Sequence, residues 1–206
     1  MKYRKIPKAK LKVSEISFGC MSLGDDEAQN RALIHRAFDG GINYFDTADV
    51  YQNGWSEEVV GRAIKPFRKE VIVATKVGNQ DKKEGSGFEW NPSKSYILKA
   101  AEKSLKRLNI ECIDLLQLHG GTLEDNREEV VEAFELLKKE GKILHYGMSS
   151  IRPNVIKAYA GKYNISTNML QYSLLDRRPE EEVLDLLADH DIGVMVRGAV
   201  AKGILL

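Results

Sequence analysis

The sequence predicts an α/β protein whose strands form a parallel sheet. Short apolar or β-branched runs alternate with longer amphipathic segments over its 206 residues, and several runs are continuously apolar, as expected of strands covered on both faces. Strand and helix signals repeat without interruption, which favours parallel pairing through right-handed crossovers. Two architectures satisfy this pattern: an open doubly wound sheet and a (β/α)₈ barrel.

Seven short runs carry the strand signal, and a short hairpin precedes them. The hairpin is expected over residues 3–13, where polar Lys8 and Lys10 surround its centre. The run at residues 71–75 is continuously apolar or β-branched, which is typical of a strand buried on both faces. In chain order, the predicted strands lie at residues 16–18, 42–45, 71–75, 113–118, 144–147, 168–171 and 192–196.

Six amphipathic segments between these runs are predicted to be helices, and each has a start or a stop signal. Gly40-Gly41 ends the first and Gly141 ends the fourth, because glycine is favoured just after a helix. Pro66 limits the second, because proline disrupts a helix interior. In chain order, the six starts are expected after Asp25-Asp26, at Ser56, at Asn91-Pro92, before Val130, at Pro153 and at Pro179.

Composition and charge exclude several classes of protein. Lys and Arg number 31 against 30 Asp and Glu, a formal net charge of +1, which argues against a nucleic-acid-binding surface. No apolar run approaches the roughly 20 residues needed to cross a bilayer, and the first residues lack the apolar stretch of a signal peptide. Two cysteines, Cys20 and Cys112, are too few for a disulfide framework. We therefore expect one cytoplasmic domain over residues 1–206, with reduced thiols and no membrane partner.

The ends of three successive strands carry a candidate acid/base site. In both architectures the carboxyl ends of the strands hold the chemistry, and the second, third and fourth strands end in Asp46, Lys76 and His119. Tyr51 lies five residues beyond Asp46. A phenol is a poor acid near neutral pH, and a nearby ammonium stabilises its phenolate, so Lys76 would activate Tyr51 while Asp46 holds Lys76. His119 would donate a hydrogen bond to a carbonyl oxygen.

Each of these residues also has a purely structural interpretation. A buried aspartate paired with a lysine can be an ion pair inside the barrel, and a lone histidine at a strand end is more often a satisfied hydrogen-bond partner than a catalyst. Four such side chains at one end of one sheet are harder to explain by packing, because burying ionisable groups is costly. Their joint placement favours a catalytic site.

Extended motifs in the same segments resemble the aldo-keto reductase family, in its bacterial type. Residues 41–51, GINYFDTADVY, followed by Ser56-Glu57, are similar to the family's first signature. Residues 74–76 resemble its lysine strand, and residues 113–119 resemble its histidine strand. Residues 141–150 resemble the motif of its fifth strand. The resemblance covers the whole chain, but the chain stops just past the seventh strand, so we expect a barrel that is incomplete at its C-terminal end.

The resemblance implies a (β/α)₈ TIM barrel with an N-terminal β-hairpin, which reduces an aldehyde or ketone to an alcohol with a nicotinamide cofactor. By position, Tyr51 would be the general acid, Lys76 and Asp46 its tuning pair, and His119 the residue that orients the carbonyl. Hydride would pass directly from the cofactor to the carbonyl carbon, and no metal is required. A small carbonyl compound is the expected partner.

A dinucleotide cofactor is expected from the resemblance alone, because no Gly-x-Gly-x-x-Gly motif follows any predicted strand. The family relation implies NADPH/NADP⁺, with NADH as the other candidate. Two positions depart from the family pattern: Ser150 stands where many members have Asn, and Arg197 stands where many have an aromatic residue. The cofactor-binding positions that the resemblance implies are Cys20, Met21, Asp46, Ser149, Ser150, Gln171, Arg197, Gly198 and Val200.

A substrate pocket is expected above the cofactor. Residues 77–91 form a long loop with a polar, glycine-rich stretch at 82–87, and such stretches are usually mobile. A mobile lid with aromatic side chains would suit an apolar carbonyl substrate; the alternative is an ordinary surface loop. The predicted pocket residues are Met21, Trp55, Phe88 and Trp90.

Two other functions fit parts of the pattern. A Schiff-base aldolase would use Lys76 as its nucleophile, although Tyr51 and Asp46 lie in the reductase signature. A regulatory or sensor module would bind the dinucleotide and a protein partner with little turnover, as channel-associated relatives of the family do. The complete set of Asp46, Tyr51, Lys76 and His119 favours the reductase.

Overall fold

A computed structural model describes residues 1–82 and 87–206, with eleven strands in that part of the chain. The first two form an antiparallel hairpin in which Tyr3 lies opposite Ser14, as the sequence predicts. The strands are β1 (Tyr3–Ile6), β2 (Leu11–Ser14), β3 (Phe18–Gly19), β4 (Tyr44–Asp46), β5 (Ile72–Val77), β6 (Asn79–Asp81), β7 (Phe88–Trp90), β8 (Ile113–Leu118), β9 (Ile143–Ser149), β10 (Thr167–Gln171) and β11 (Gly193–Arg197).

Seven of the strands form one parallel sheet in the order β3, β4, β5, β8, β9, β10, β11. Each strand therefore lies beside its predecessor and its successor among the sheet strands of the chain. An open doubly wound sheet reverses its strand order at a switch point, whereas this order is that of a (β/α)₈ barrel. Within the described residues, β3 and β11 are the two edges. The structure confirms the seven predicted strands and decides between the two architectures.

Six α-helices connect the strands in the described residues, as predicted. Ser93, and not Asn91, is the N-cap of the third helix: its hydroxyl accepts a hydrogen bond from the Tyr96 amide at 3.4 Å. Pro179 lies in a 3₁₀ turn, Arg178–Glu181, and does not open the sixth helix. No helix in residues 1–82 and 87–206 is long and apolar enough to span a membrane. The helices are α1 (Glu27–Asp39), α2 (Trp55–Ile64), α3 (Lys94–Leu108), α4 (Arg127–Lys139), α5 (Pro153–Tyr159) and α6 (Val183–Asp189).

A short antiparallel ribbon flanks the loop that follows β5. β6 pairs with β7, and Asn79 lies opposite Trp90. The sequence predicts a mobile lid here, because the stretch at residues 82–87 is polar and rich in glycine. Backbone pairing between two three-residue segments leaves no recognisable strand pattern in the sequence. Residues 83–86 of that predicted lid lie outside the described residues. The amide of Asn91 donates to the carbonyl oxygen of Gly78 at 2.8 Å, so the ribbon returns the chain to the end of β5.

Apolar side chains cover both faces of the sheet. The larger cluster fills the space between the strands and the helices. A smaller cluster joins Ile6 and Val13 of the hairpin to Tyr44, Ile72 and Leu115 of the sheet. Tyr44 and Ile72 are the first residues of β4 and β5, so the hairpin covers the amino ends of these strands. The carboxyl ends are left to the loops that carry the candidate site.

Gly61 sets the distance between α2 and α3. A Cβ atom at this position would lie within 2.6 Å of the carbonyl carbon of Leu108, which is backbone and cannot move aside. We expect Gly61→Ala to lower the free energy of unfolding by at least about 2 kcal/mol, although alanine by itself favours a helix by about 1 kcal/mol over glycine.

Urea unfolding measures this effect, with Gly24→Ala as the matched control. A Cβ atom at Gly24 would meet open space, so this variant should change stability by less than about 0.5 kcal/mol. Equal stability of the two variants would contradict the close approach of the helices.

Candidate active site

The side chain of Lys76 is the centre of a buried polar cluster at the carboxyl end of the sheet. Only 1% of the residue is exposed. Its Nζ atom donates to Asp46 Oδ1 at 2.5 Å, to the carbonyl oxygen of Thr47 at 2.7 Å, and to the hydroxyl of Tyr51 at 3.3 Å. Asp46 pairs in register with Ala74 of β5, so Lys76 reaches across to the neighbouring strand. The structure thus brings three of the four predicted catalytic residues into contact.

Burial and charge act in opposite directions on the Lys76–Asp46 pair. Burial disfavours the ammonium form of Lys76, but the charge of Asp46 and the contact with Tyr51 outweigh it, so the pKa of Lys76 lies above its usual value. Burial also raises the pKa of Asp46, against the opposing effects of Lys76 and Gln117. Lys76 therefore carries its proton at neutral pH, within a buried salt bridge.

A strained turn places Tyr51 beside Lys76. Tyr51 begins the 3₁₀ turn Tyr51–Gly54, in which Gln52 and Asn53 have left-handed backbone angles, with φ of 45° and 55°. Residues other than glycine adopt this conformation at a cost of about 1 kcal/mol or more. The side chain of Gln52 donates to the carbonyl oxygen of Met21 at 2.6 Å, and this bond holds the turn against the loop after β3.

His119 joins the cluster from the next strand of the sheet. Its backbone N–H donates to the carbonyl oxygen of Val77 at 2.8 Å, and its ring meets the ring of Tyr51 edge-on, with 6.0 Å between the centroids. Burial, together with the charges of Lys76 and Arg197, lowers the pKa of His119 to about 3. The imidazole is therefore neutral at physiological pH. Its Nδ1 atom is buried and has no hydrogen-bond partner in the described part of the chain, and the residue lines the cavity described below.

Gln117 belongs to the cluster although the motifs do not reveal it. Its side chain is fully buried, and Nε2 donates to Asp46 Oδ2 at 3.2 Å. Both carboxylate oxygens of Asp46 are therefore engaged, one by Lys76 and one by Gln117. One signal in the sequence could have identified Gln117: it is a polar residue two positions before His119 in a strand that is otherwise mostly apolar.

The first turn of α2 supports the cluster from behind. Glu57 is fully buried, and its carboxylate accepts hydrogen bonds from the Thr75 hydroxyl at 2.6 Å and from Arg107 Nε at 2.6 Å. The hydroxyl of its neighbour Ser56 lies 2.8 Å from the hydroxyl of Thr47. Both threonines adjoin members of the cluster in the sequence, so α2 fixes the spacing of β4 and β5 where the cluster lies.

A cavity of about 490 Å³ opens beside the cluster. Its wall carries Ser149, Ser150, Arg152 and Arg197, and no carboxylate is among its described lining residues. Guanidinium and hydroxyl groups without acidic neighbours are complementary to an anionic ligand. The lining residues are Met21, Tyr51, Lys76, Asn79, Trp90, His119, Gly120, Gly121, Thr122, Ser149, Ser150, Ile151, Arg152, Met169 and Arg197.

Trp90 forms one wall of the cavity in a fixed orientation. Its indole N–H donates to Asp125 Oδ1 at 2.8 Å. The ring lies against Gly78 and Gly120, where a Cβ atom would come within 2.8 Å and 3.3 Å of it. Both glycines also have positive φ, so both the backbone conformation and the close approach of the ring favour glycine at these positions. Of the four predicted pocket residues, Trp90 and Met21 line the cavity.

The other two predicted pocket residues lie elsewhere. Trp55 is in the first turn of α2, where the guanidinium of Arg62 lies over its ring at 4.8 Å. Phe88 is at the far end of β7 from the sheet and is 42% exposed. The ribbon carries Trp90 towards the strand ends and Phe88 away from them.

Cys20 also lies outside the cavity, although the resemblance implies a contact with the cofactor. The residue is fully buried, and its thiol lies 3.8 Å from the carbonyl oxygen of Phe18. Burial raises the pKa of this thiol. The backbone N–H of Cys20 donates to the carbonyl oxygen of Asp46 at 2.8 Å, so the residue ties the loop after β3 to β4.

The side chain of Gln171 is occupied by neighbouring residues. Its amide accepts a hydrogen bond from Arg197 at 3.1 Å and donates one to the carbonyl oxygen of Gly198 at 3.3 Å. Met169, two residues earlier on β10, lines the cavity instead. Gly198 and Val200 follow β11 and are not part of the cavity wall. Of the nine predicted cofactor positions, the cavity wall includes Met21, Ser149, Ser150 and Arg197.

Comparisons with known proteins agree with the fold. The sequence pattern of the Aldo/keto reductase family matches residues 15–206. The uncharacterized oxidoreductase YqkF of Bacillus subtilis is 53% identical over 205 residues, which cover 100% of this chain and 67% of that protein. The aldo-keto reductase yakc of Schizosaccharomyces pombe is 34% identical over 94% of this chain and 60% of that protein.

Solved structures show the same architecture. The holo form of an aldo-keto reductase from Bacillus halodurans has a TM-score of 0.96 at 52% identity, over 100% of this chain and 68% of that one. An aldo/keto reductase from Klebsiella pneumoniae has a TM-score of 0.86 at 29% identity, over 100% of this chain and 71% of that one. Fold and sequence together define an oxidoreductase of the (β/α)₈ class. The chain belongs to the aldo/keto reductase family, and it spans 60% to 71% of the length of these four relatives.

Replacement of Glu57 tests the support behind the cluster. We expect Glu57→Gln to lower the free energy of unfolding by about 3 kcal/mol, because it leaves the partly buried Arg107 without its counter-charge. Glu132→Gln is the matched control, since Glu132 pairs with Lys94 at the surface and exposed pairs contribute less than about 1 kcal/mol. Urea unfolding measures both variants. If both lost the same small amount, the buried pair would not be what holds α2 in place.

The lowered pKa of His119 makes stability depend on pH. The unfolded chain binds a proton at His119 near its ordinary pKa of 6.5, whereas the folded protein does so only near 3. This group therefore destabilises the fold as the pH falls from 6.5 towards 3, by about 2 kcal/mol at a pH of about 5.

Urea unfolding of the unaltered chain and of His119→Gln at pH values of about 8 and about 5 isolates this contribution. The difference between their free energies of unfolding should change by about 2 kcal/mol between the two pH values. His190→Gln, at the end of α6, is the control. If the difference did not change with pH, folding would not lower the pKa of His119.

Proposed function

We propose that residues 1–206 form one cytoplasmic domain that reduces an aldehyde or ketone to an alcohol with NADPH. The observation that carries the proposal is the contact of Lys76 with Asp46, Thr47 and Tyr51 beside a cavity rich in hydrogen-bond donors. Two relatives support this cofactor, since the Schizosaccharomyces pombe reductase has NADP(+) in its name and the Klebsiella pneumoniae structure is a complex with NADP. NADH is the second candidate.

The cavity wall fits a nicotinamide dinucleotide. Ser149 and Ser150 would offer hydroxyl groups to the carboxamide, which needs both donors and acceptors. The side chain of Arg197 has one hydrogen bond, to Gln171, and no carboxylate partner in the described residues. Its guanidinium is therefore available to the cofactor as a planar, cationic surface. The bound cofactor would supply the hydride.

Tyr51 would deliver the proton to the carbonyl oxygen. When this proton leaves, the ammonium of Lys76, 3.3 Å from the hydroxyl, stabilises the phenolate by its charge and by a hydrogen bond. Asp46 and the Thr47 carbonyl keep the ammonium in place. Lys76 and Asp46 thus act through Tyr51.

His119 would orient the carbonyl without serving as the acid. Its pKa of about 3 leaves it uncharged at neutral pH, so it has no readily released proton. A neutral imidazole still has one N–H that can donate to a carbonyl oxygen. Because its ring meets that of Tyr51 edge-on, one substrate oxygen would receive hydrogen bonds from both residues.

Two alternatives make different use of the same site. A Schiff base requires the uncharged amine of Lys76, and its contacts raise the pKa of Lys76 instead, which disfavours the aldolase. A regulatory module is favoured by one relative, a protein of Arabidopsis thaliana named as a probable voltage-gated potassium channel subunit beta, which is 28% identical. Such a module would bind the cofactor with negligible turnover.

Tyr51→Phe tests the proton donor while preserving the aromatic ring. We expect kcat for aldehyde reduction to fall by about 10² to 10⁴-fold, the usual contribution of a general acid. NADPH absorbance with a panel of aldehydes measures turnover, and fluorescence titration with NADPH and NADH measures cofactor binding. Tyr163→Phe is the control, because the hydroxyl of Tyr163 bonds to Glu128 at the surface.

Three results distinguish the candidates. Loss of turnover in Tyr51→Phe with cofactor binding retained is the outcome expected for the reductase. Undiminished reduction by Tyr51→Phe would refute the proposed acid. Cofactor binding by the unaltered chain, with negligible turnover of every aldehyde, would favour the regulatory module.

A further inference from the structure

The cavity beside the cluster contains positive charge that the cluster does not offset. Lys76 is neutralised by Asp46 at 2.5 Å, but Arg152 and Arg197 also line the cavity, and neither has a carboxylate partner in the described part of the chain. By contrast, Arg68 pairs with Asp114, and Arg107 pairs with Glu57. The two guanidinium groups are therefore available to ligands.

Arg152 differs from Arg197 in its position. Arg197 is the last residue of β11, and its side chain bonds to Gln171 of β10. Arg152 Nη1 instead donates to the carbonyl oxygen of Gly121 at 2.9 Å, and Gly121 lies two residues beyond His119 in the sequence. This bond holds the guanidinium at the loop that carries His119.

Asp125, an acidic residue on that loop, forms no ion pair with Arg152 in the described residues. Asp125 accepts hydrogen bonds from the Trp90 indole at 2.8 Å and from the Thr122 amide at 2.6 Å. Its carboxylate is thus used to hold the cavity wall. The remaining N–H groups of Arg152 have no protein acceptor in the described residues.

We propose that the substrate is a carbonyl compound that carries a carboxylate, and that Arg152 binds this carboxylate while Tyr51 and His119 engage the carbonyl oxygen. The inference rests on the function proposed above. One guanidinium with a free edge matches a planar monoanion, to which it donates two parallel hydrogen bonds. Trp90 and Met21 provide apolar surface for the carbon chain between the two groups.

The ratio of kcat/KM for succinic semialdehyde to kcat/KM for butanal tests the proposal. We expect the unaltered chain to favour the semialdehyde by about 10-fold or more, and Arg152→Met to lower this ratio by about 10-fold or more, the usual effect of losing a hydrogen bond to a charged group. Arg152→Lys should retain part of the preference, because it keeps the charge but not the planar fork. Arg127→Met should leave the ratio unchanged, since Arg127 donates to the Leu123 carbonyl outside the cavity.

The outcomes separate this inference from the function on which it rests. Equal use of the two aldehydes by the unaltered chain, or an unchanged ratio in Arg152→Met, would overturn the inference and leave the reductase intact. If neither aldehyde were reduced, the proposed function would be in question.

Calorimetric titration with succinate would then decide the inference separately. Binding of succinate to the unaltered chain that is about 10-fold weaker in Arg152→Met would support the inference. No binding of succinate, or equal affinity in the unaltered chain and in Arg152→Met, would overturn it.

Discussion

The buried ammonium of Lys76 is the constraint on which the rest of the site depends. A charge taken out of water costs several kcal/mol unless its partners are close and well oriented. Here the partners are Asp46, the Thr47 carbonyl and the Tyr51 hydroxyl, all within 3.3 Å. These three come from a strand and the turn after it, so β4, β5 and that turn must keep a narrow spacing. The interaction that would activate Tyr51 therefore also dictates the local backbone.

The two ends of the sheet meet different physical demands. At the amino ends, the hairpin contributes apolar side chains such as Ile6 and Val13, which are buried against the first residues of the strands. At the carboxyl ends, buried polar groups such as Lys76 and Asp46 are paired with each other, whereas Gln117 Oε1 has no hydrogen-bond partner in the described residues. Glu57 contributes to both stability and the site, because its bonds to Thr75 and Arg107 attach the helices to the sheet directly behind the cluster. Stability and chemistry are in this way assigned to different regions of one sheet.

Local sequence signals predict the strands, the helices and the cluster well, but long-range contacts escape them. Lys76 and His119 are recognisable because a strand end marks their place. The bond between Glu57 and Arg107 joins residues 50 positions apart, and no local pattern encodes it. Phe88 and Trp90 look alike in the sequence, yet only Trp90 reaches the cavity, because the ribbon that orients them is held by backbone pairing rather than by apolar alternation.

The most direct test of the central interaction is the titration of Lys76 itself. In a chain labelled with ¹⁵N-lysine, the side-chain ¹⁵N resonances report the protonation of each amine. The resonance of Lys76 is assigned by its absence from the Lys76→Met variant. The charge of Asp46 predicts that the pKa of Lys76 lies above the ordinary lysine value, and that Asp46→Asn lowers it. A Lys76 that is a neutral amine near physiological pH, or that is unaffected by Asp46→Asn, would contradict the ion pair at the heart of the site.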